Sequence, residues 1–357
     1  MDRQKKTTNL VKILKTYQKH SKIRKIIMIF ATILIISALC LFFNGLNPAI
    51  VGWLKNDFSI VSAHNNLLVH FVDVGQGDAV AINLPDDKLA VIDAGPNDER
   101  SNLISYLNER VFNFKRNKTI DYLILTHADA DHIGGAIKLI EEYSVGTLYM
   151  PTIEADTVTY ISLSERVNEK HLNVEHYNNE FNLCGKYNFK FFPPLDYTDT
   201  NNTCPLIKLE FENKSFLFTG DIETKAEKDY IELYGNELDV DVLKVAHHGS
   251  KYSSCDEFLA VVTPQYAIVS SGNQYGHPNQ ETIDRLNNVH ANIVRTDTVG
   301  NIMLVVGNNY DLSLLTGDYI VTGFVFDYRI IVLIIDVVLI GNVVIILIKK
   351  DKKYKNW

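Results

Sequence analysis

The sequence is poor in cysteine. Its 357 residues include four cysteines, Cys40, Cys184, Cys204 and Cys255, and none of them belongs to a Cys-x-x-C motif. A thiolate zinc site and a disulfide framework both need paired or regularly spaced cysteines, so neither is predicted. The Gly-x-Ser-x-Gly motif is missing too, which argues against a nucleophilic serine. No internal repeat is strong enough to define a repeat protein.

Two long apolar runs lie near the ends of the chain. Residues 26–43 are interrupted only by Thr32 and Ser37, and residues 330–348 contain Asp336 and Asn342. Each run is long enough to cross a bilayer as a helix, and we predict two transmembrane helices. A cleaved signal peptide is the alternative for the first run, but its apolar region would be shorter and would precede a small-x-small site. A buried amphipathic core helix is the alternative for the second.

A lipoprotein signal ending at Cys40 is a further alternative for the first run. The large Leu39 directly before the cysteine and the apolar residues after it disfavour this interpretation. In the second run, Asp336 is costly in lipid unless it is paired. Its partner could be a polar group on a helix of another copy, so an oligomer formed through the transmembrane helices remains open.

Both ends of the chain are basic. Residues 1–25 form a tail with a net charge of +8, and residues 349–357 form a second tail with a net charge of +4. Basic flanks remain on the cytoplasmic side, so the segment between the two spans is predicted to lie outside the cytoplasm, at the cell membrane. We predict a linker at residues 44–66 and a folded domain at residues 67–315.

The middle of the chain is strongly acidic. The whole chain carries −8, and removing the twelve positive charges of the two tails leaves −20 for residues 26–348. Such a field repels polyanions. The hydrophobic fraction of 46% and the charged fraction of 22% are ordinary for a globular protein.

The apolar pattern of the domain alternates between strand-like and helix-like segments. Residues 152–188 are polar and hard to interpret, and they could be an insertion over a site. His171 and His176 in this stretch are more consistent with solvent-facing residues than with ligands. We predict strands at 67–74, 79–84, 89–92, 120–125, 206–211, 215–218, 240–245, 266–269, near 293, 302–306 and 310–315, and helices at 101–112, 136–142, 222–234, 256–262 and 280–287.

The densest chemical signal follows the strand at 120–125. His127, Asp129, Asp131 and His132 fall within six residues there, and two glycines come next. Imidazole nitrogens and carboxylate oxygens are the ligands that suit zinc, manganese or iron. The alternative is a polar surface loop, but this density of His and Asp directly after an apolar strand favours a metal site.

Two further strands end in potential ligands. Asp221 follows the strand at 215–218, and His247 and His248 follow the strand at 240–245. In a layered α/β fold, strand ends on one edge of a sheet converge, and sites are built at that edge. The three groups are therefore predicted to meet in space.

Six motifs follow one another between residues 67 and 315. They are Phe71-Val-Asp-Val-Gly-Gln-Gly-Asp78, Val91-Ile-Asp-Ala-Gly95, Leu125-Thr-His-Ala-Asp-Ala-Asp-His-Ile-Gly-Gly135, Phe218-Thr-Gly-Asp221, Leu243-Lys-Val-Ala-His-His-Gly-Ser250 and Tyr275-Gly-His-Pro278. In this order they resemble the metallo-β-lactamase superfamily, and within it the hydrolase domain of the ComEC-type competence proteins. The long membrane channel of the competence proteins is absent.

The resemblance implies an α/β fold, the four-layered αβ/βα metallo-β-lactamase sandwich, here flanked by two transmembrane helices. Metals would bind at one edge of the two sheets. By the family pattern, His127 serves the first metal, Asp131 and His132 serve the second, and Asp221 bridges both. Either His247 or His248 completes the second site. Asp93 supports the loop beneath the metals.

The sequence departs from the superfamily pattern at two places. Asp129 replaces a histidine, and no histidine occurs between Asn182 and Phe218, where another first-site ligand is expected. Both changes make the first site richer in oxygen and favour a harder ion such as manganese over zinc. One firmly bound divalent ion with a labile second is as compatible with the sequence as two.

The predicted activity is metal-dependent hydrolysis, most consistent with a phosphodiesterase. A divalent metal lowers the pKa of bound water and supplies hydroxide as the nucleophile, and it stabilises a developing oxyanion. Asp131 or Asp221 could orient the water, and His277 could contact a substrate oxygen or protonate a leaving group. Ser250 and Ser253 are candidate phosphate contacts.

Three substrates or roles remain open. The competence resemblance favours a nuclease acting on DNA, whereas the charge of −20 favours a small or cell-envelope phosphodiester. A membrane-tethered binding protein without catalytic activity is the alternative from another class.

Overall fold

Two large β-sheets carry the fold of the described part of the chain. The computed structural model describes residues 59–62, 65–98, 102–112, 118–177, 181–307, 311–317 and 319–322. These residues belong to the compact unit Phe58–Val325. Both predicted transmembrane segments and both basic tails lie outside the described residues. Within the ranges given, no helix is long and apolar enough to cross a bilayer.

The described residues form seventeen strands and eight α-helices. The strands are β1 (Ser59–Ser62), β2 (Leu67–Phe71), β3 (Val80–Asn83), β4 (Leu89–Ile92), β5 (Thr119–Ile124), β6 (Ser144–Met150), β7 (Val174–His176), β8 (Phe181–Cys184), β9 (Asn188–Phe192), β10 (Leu206–Phe211), β11 (Lys214–Phe218), β12 (Val242–Lys244), β13 (Tyr266–Val269), β14 (Asn292–Arg295), β15 (Ile302–Val306), β16 (Leu312–Thr316) and β17 (Tyr319–Thr322). The helices are α1 (Leu103–Tyr106), α2 (Ala130–Ile133), α3 (Ala136–Glu142), α4 (Val158–Glu169), α5 (Thr224–Tyr234), α6 (Asp256–Val262), α7 (Gln280–Asn288) and α8 (Thr296–Val299).

The two sheets share one plan. The first has the order β16-β15-β2-β3-β4-β5-β6-β7, and the second has the order β14-β13-β12-β11-β10-β9-β8. Strands β16 to β4 pair antiparallel and β4 to β7 pair parallel. Strands β8 to β11 pair antiparallel and β11 to β14 pair parallel. Each sheet therefore has a parallel half, whose strands end at a common edge.

An apolar layer rich in aromatic rings joins the sheets. Phe71 of the first sheet packs against Phe218 of the second at 6.2 Å between ring centroids. Tyr149 stacks on Phe191 at 5.5 Å. Separate buried clusters pack α1, α3 and α4 on the outer face of the first sheet, and α5 and α6 on the outer face of the second. Helix, sheet, sheet and helix form four layers, which confirms the predicted sandwich.

The stretch at 152–188 contains regular structure that the sequence analysis did not identify. Helix α4 begins at Thr157, whose side chain accepts a hydrogen bond from the Tyr160 backbone at 3.2 Å. Its buried face is Tyr160, Leu163 and Val167, but Val158 is largely exposed, which obscures the apolar spacing. Strand β6, which precedes this stretch, was missed as well, because its first four residues are exposed or half-buried and only its last three are buried.

A short strand pair lies outside the predicted domain bounds. Strand β1 pairs parallel with β17, with Ser59 opposite Tyr319. The first of these strands falls in the stretch predicted as a linker, and the second follows residue 315. The chain therefore enters and leaves the described unit along neighbouring strands.

Candidate metal centre

The candidate ligands collect at the edge where the parallel strands of both sheets end. Asp93 follows β4 and His127 follows β5 in the first sheet, whereas Asp221 follows β11 in the second. Short helix α2 carries Asp131 and His132. The sandwich thus brings the predicted groups together, because the carboxyl ends of parallel strands meet at one edge.

His132 is held in one orientation by Asp93. Its Nδ1 atom donates to Asp93 Oδ2 at 2.8 Å, and both side chains are buried. Asp93 also accepts from the Thr126 backbone and hydroxyl, each at 2.8 Å. In the neutral imidazole, Nδ1 carries the proton and the lone pair lies on Nε2. This Nε2 atom has no hydrogen-bond partner and lies 3.3 Å from Asp221 Oδ1.

His248 is oriented in the same way from the other sheet. Its Nδ1 donates to the Ser270 carbonyl at 3.0 Å. Its Nε2 lies 3.2 Å from Asp131 Oδ2 and 3.3 Å from Asp221 Oδ2. Two imidazole nitrogens therefore lie beside the carboxylates of Asp131 and Asp221, and each imidazole is fixed by the hydrogen bond at its Nδ1 atom.

This set fits a divalent metal ion. Ligands at about 2.1 Å from a tetrahedral ion lie roughly 3.4 Å from each other, close to the observed separations of 3.2–3.3 Å. The Nε2 atoms of both histidines are buried and have no hydrogen-bond partner. Buried nitrogens without a hydrogen-bond partner are rare in folded proteins, and a bound cation would account for these two. The residues that would hold it are His132, His248, Asp131 and Asp221.

The candidate first site is poorer in ligands. His127 Nε2 is buried without a hydrogen-bond partner and lies 3.7 Å from Asp129 Oδ2. The Asp129 side chain is 42% exposed, and it hydrogen-bonds to Thr200. A site at this place would depend on one imidazole, one exposed carboxylate and a shared oxygen of Asp221.

The loop before β10 lies within the segment 182–218, where the family pattern leads us to expect a further histidine. It supplies no imidazole and instead supports the turn that carries Asp221. Cys204 Sγ accepts from the Asp221 backbone at 3.3 Å, and Asn202 Oδ1 accepts from the Glu223 backbone at 2.9 Å. Gly220 is needed because a Cβ there would lie 2.7 Å from the same Sγ atom. The loop therefore positions a ligand rather than providing one.

The backbone separates His247 from His248. Both residues are left-handed, with φ of 50° and 53°, and Gly249 follows with φ of 82°. Successive left-handed non-glycine residues are uncommon and indicate strain at a functional site. His247 points away from the ligand cluster, with Nε2 3.9 Å from Asp221 Oδ2 and Nδ1 3.5 Å from Glu223. The geometry therefore favours His248 as the ligand, a choice that the sequence left open.

A pocket of about 730 Å³ opens over the cluster. Asp129, Asp131, Asp221 and His248 line it, and His247 and His277 stand on one wall with 5.5 Å between their ring centroids. Burial, with His247 and His248 nearby, lowers the pKa of His277 below its usual value. His277 is therefore neutral at neutral pH.

Two other predictions from the sequence concern Ser250 and Ser253 as phosphate contacts and His171 and His176 as solvent-facing residues. Ser250 and Ser253 are buried and do not line the pocket, so the expectation that they contact phosphate is wrong. Their carbonyl groups instead accept from Thr282 and Arg285, which fixes the loop after His248. His171 and His176 are exposed and lie outside the pocket lining.

The charges of the site favour exchange of protons for a metal. Burial lowers the pKa of His132, but the carboxylates of Asp221 and Asp93 together have the larger effect and raise it well above its usual value. Burial and Asp221 compete in the same way at His248, whose pKa rises to about 9. At His127, burial dominates and lowers the pKa to about 3. A divalent cation carries the same charge as the two protons that it would displace from His132 and His248.

Two functional candidates were missed in the sequence, Asp78 and Lys244. Asp78, His132, Asp221 and His248 each place one ligand-type atom within 4.8 Å of the others. Asp78 lies behind the imidazoles, however, 3.8 Å and 3.6 Å from the Nδ1 atoms of His132 and His248. These atoms carry protons, so Asp78 supports the site and does not belong to the Nε2 ligand set.

Lys244 forms a buried ion pair with Asp78. Burial lowers the pKa of Lys244, but Asp78 and Asp221 together have the larger effect and raise it. Lys244 therefore stays protonated. Both residues had a sequence signal. Asp78 follows a Gly-Gln-Gly turn after a strand, and Lys244 is a charge inside the apolar run 240–246.

The four-layered sandwich with two imidazoles and two carboxylates beneath an open pocket defines a metal-dependent hydrolase of the metallo-β-lactamase fold. The chain belongs to the metallo-β-lactamase superfamily, whose family model matches residues 72–272.

The chain is also similar to curated competence and recombination proteins. It is 32% identical over 252 residues to ComE operon protein 3 of Bacillus subtilis, 29% identical over 194 residues to competence protein ComA of Neisseria gonorrhoeae, and 28% identical over 236 residues to recombination protein 2 of Haemophilus influenzae. These matches cover 66%, 53% and 66% of this chain, but 32%, 26% and 28% of the relatives. The predicted resemblance to ComEC-type proteins is confirmed, for about a third of their length.

Proposed function

We propose that the protein is a membrane-anchored, metal-dependent phosphodiesterase. The observation that carries the proposal is the ligand set of two imidazoles and two carboxylates beneath a pocket that is open to substrate. Carboxylate ligands suit the harder divalent ions and imidazole suits zinc, and divalent ions stabilise charge on transferring phosphoryl groups. We propose manganese or zinc as the ion, with one tightly bound and a second held weakly by His127 and Asp129.

The residues around the pocket have separable roles in this proposal. A divalent ion held by the ligand set would lower the pKa of bound water and offset negative charge on phosphorus. Asp131 is the ligand nearest the opening, with a side chain 33% exposed. Burial raises the pKa of Asp131, but His248 and His132 lower it below the usual range. Asp131 is therefore ionised, and it would accept a hydrogen bond from an attacking water. His277, neutral at neutral pH, is suited to donate a hydrogen bond to a substrate oxygen rather than to protonate a leaving group.

Nucleic acid is the first candidate substrate. The names of two similar proteins connect them with competence and recombination, and DNA is the phosphodiester common to both. The net charge of −20 favours a second candidate, a small or cell-envelope phosphodiester, because nucleic-acid affinity depends on basic contacts. Cleavage of DNA should therefore need millimolar divalent metal and fall only gradually as salt rises, because few basic contacts are available to lose.

Membrane anchoring is the second part of the proposal. The apolar runs at 26–43 and 330–348 have basic residues on their outer flanks, which supports two spans with the described unit outside the cytoplasm. Protease added to intact protoplasts should cut the unit and spare tags on both termini. Protection of the unit in this assay would refute the topology.

Hydrolysis of a substrate panel tests the activity. The full chain would be assayed with Mn²⁺, Zn²⁺ or a chelator on bis-p-nitrophenyl phosphate, single-stranded DNA, duplex DNA and a β-lactam. We expect metal-dependent cleavage of the simple diester and no cleavage of the lactam. Turnover of the simple diester with every DNA form intact would shift the proposal to the small phosphodiester. No turnover of any ester by metal-loaded chain would favour a binding protein.

A further inference from the structure

Lys244 lies in an unusual place for a lysine. It ends β12, in which every residue is buried, and the lysine itself is 3% exposed. Its Nζ atom forms an ion pair with Asp78, lies 3.8 Å from Asp221 Oδ1 and donates to the Gly220 carbonyl at 3.3 Å. Lysine is almost never fully buried unless it is paired, and a buried pair gives little net stability. Its position beside a candidate metal ligand therefore points to a role in the metal centre.

Asp78 reaches Lys244 from the opposite sheet. Its backbone N–H donates to the Asp131 carbonyl at 3.2 Å, and its carbonyl accepts from the Gly95 backbone at 2.7 Å. This close approach requires Gly77, because a Cβ there would lie 2.2 Å from the Asp131 carbonyl oxygen. The ion pair thus joins the two sheets directly behind the ligand loop.

Lys244 does not reach the substrate. Neither Lys244 nor Asp78 lines the pocket, and Asp78 approaches the two imidazoles from the Nδ1 side. The pair can therefore act on the centre only through charge and position.

We propose that Lys244 is a resident cation of the metal centre, which keeps the buried carboxylates compensated so that the site is formed before a metal binds. Asp78 and Asp221 are both buried beside it, and Asp93 lies beneath His132. One fixed positive charge offsets part of this negative charge. It also weakens binding of a divalent ion by direct repulsion, so the metal is taken up and released reversibly.

The proposal predicts opposite effects for the two partners. Lys244→Met removes the cation and leaves the buried carboxylate of Asp78 without its ion pair. The melting temperature without metal should fall by on the order of 10 °C, and the affinity for Mn²⁺ should rise about tenfold or more. Asp78→Asn leaves the ammonium facing Asp221 alone, so Mn²⁺ affinity should fall about tenfold or more. The double variant should recover most of the melting temperature and bind Mn²⁺ within roughly threefold of the parent.

The experiment uses the full chain, with thermal unfolding in chelator and Mn²⁺ affinity from competition with a chelating dye. Neither readout requires activity, so the result is independent of the proposed reaction. Lys214→Met is the matched control, because Lys214 pairs with Asp241 at 2.9 Å in the same sheet without contacting the centre. Its Mn²⁺ affinity should be unchanged.

Single variants that shift Mn²⁺ affinity in the same direction would overturn the proposal, because loss of a merely structural contact would act that way. An unchanged affinity in both would overturn it as well. If Lys244→Met cannot be recovered folded, Lys244→Gln takes its place, and Mn²⁺ affinity that is unchanged or lower than that of the parent refutes the proposal.

Discussion

His132 Nδ1 and Asp93 Oδ2 lie 2.8 Å apart and join two segments that are 39 residues apart in the chain. This hydrogen bond fixes the tautomer of His132 and turns Nε2 towards Asp221. Thr126 fills the remaining acceptor positions of Asp93 through its backbone and hydroxyl. The strand end at Asp93 thereby sets the geometry of a ligand that it does not itself provide.

Asp93→Asn tests this support. The amide cannot accept from both His132 and Thr126 as the carboxylate does, so the imidazole loses its fixed orientation. We expect metal affinity to fall by about 10- to 100-fold while the fold is retained. Competition with a chelating dye measures the affinity, and His176→Ala, an exposed histidine, is the control. Affinity equal to that of the control would show that Asp93 does not orient the ligand.

Substitution of His247 and substitution of His248 should have different effects on the metal content of the chain. His248→Ala removes a nitrogen that lies within 3.3 Å of both candidate carboxylates, so the chain should lose most of its bound metal. His247→Ala should keep the metal, because His247 Nε2 is 3.9 Å from Asp221 and points towards His277. Elemental analysis of the two variants gives the stoichiometry. The reverse pattern would make His247 the ligand.

Asp129→His restores the superfamily pattern at the weaker site. The new imidazole would lie beside His127, whose Nε2 is 3.7 Å from the present carboxylate. Since imidazole is a softer ligand than carboxylate, we expect higher zinc occupancy and a preference that moves from manganese towards zinc. Metal content after dialysis against equal concentrations of both ions measures the change. A manganese-to-zinc ratio equal to that of the parent would contradict the assignment.

Glu227 gives the fold a dependence on pH that is separate from the metal. It is fully buried on α5 and accepts from the backbones of Ser254 and Cys255. Burial outweighs these donors and raises the pKa of Glu227 from 4.5 to about 7. The folded chain keeps a proton that the unfolded chain has already lost, so this contribution to stability is complete below pH 4.5 and is lost as the pH rises through 7.

Glu227→Gln removes this titration. The shift corresponds to about 3 kcal/mol, at 1.36 kcal/mol per pKa unit. The free energy of unfolding of the parent minus that of the variant should therefore fall by that amount between about pH 4.5 and 7, and then stay flat. Urea unfolding of both chains in chelator at several pH values measures the difference, in which the titration of other groups cancels. A difference that does not change with pH would show that Glu227 is ionised in the fold at all these values.

Much of the fold could be predicted from apolar spacing. Helices α3 and α6 have the predicted bounds, and so do strands β4, β10, β13 and β15. The apolar pattern of a strand is weak where few of its residues are apolar, as in the first half of β6, where Val145 is the one large apolar residue. Helical spacing fails where Val158 is exposed on α4.

The ligand cluster could be predicted as a group, but its details could not. The choice between His247 and His248 depends on a left-handed backbone conformation at both residues, which the residue types at these positions do not predict. Lys244 was overlooked because a single charged residue in an apolar strand indicates a function only when its ion-pair partner is known. Asp78, its partner, comes from the other sheet.

The central claim is that the Nε2 atoms of His132 and His248 bind a divalent ion with Asp131 and Asp221, and that this centre hydrolyses phosphodiesters. Replacing Asp131 tests both halves, because its Oδ2 lies 3.2 Å from His248 Nε2 and it lines the pocket. His176→Ala serves again as the control.

The measurement is metal content and turnover of bis-p-nitrophenyl phosphate by Asp131→Ala beside the parent and the control. Loss of an anionic ligand should remove most of the metal, and turnover should fall by about 100-fold or more, while His176→Ala matches the parent. An Asp131→Ala chain with full metal content and full turnover would show that this cluster is not the active centre.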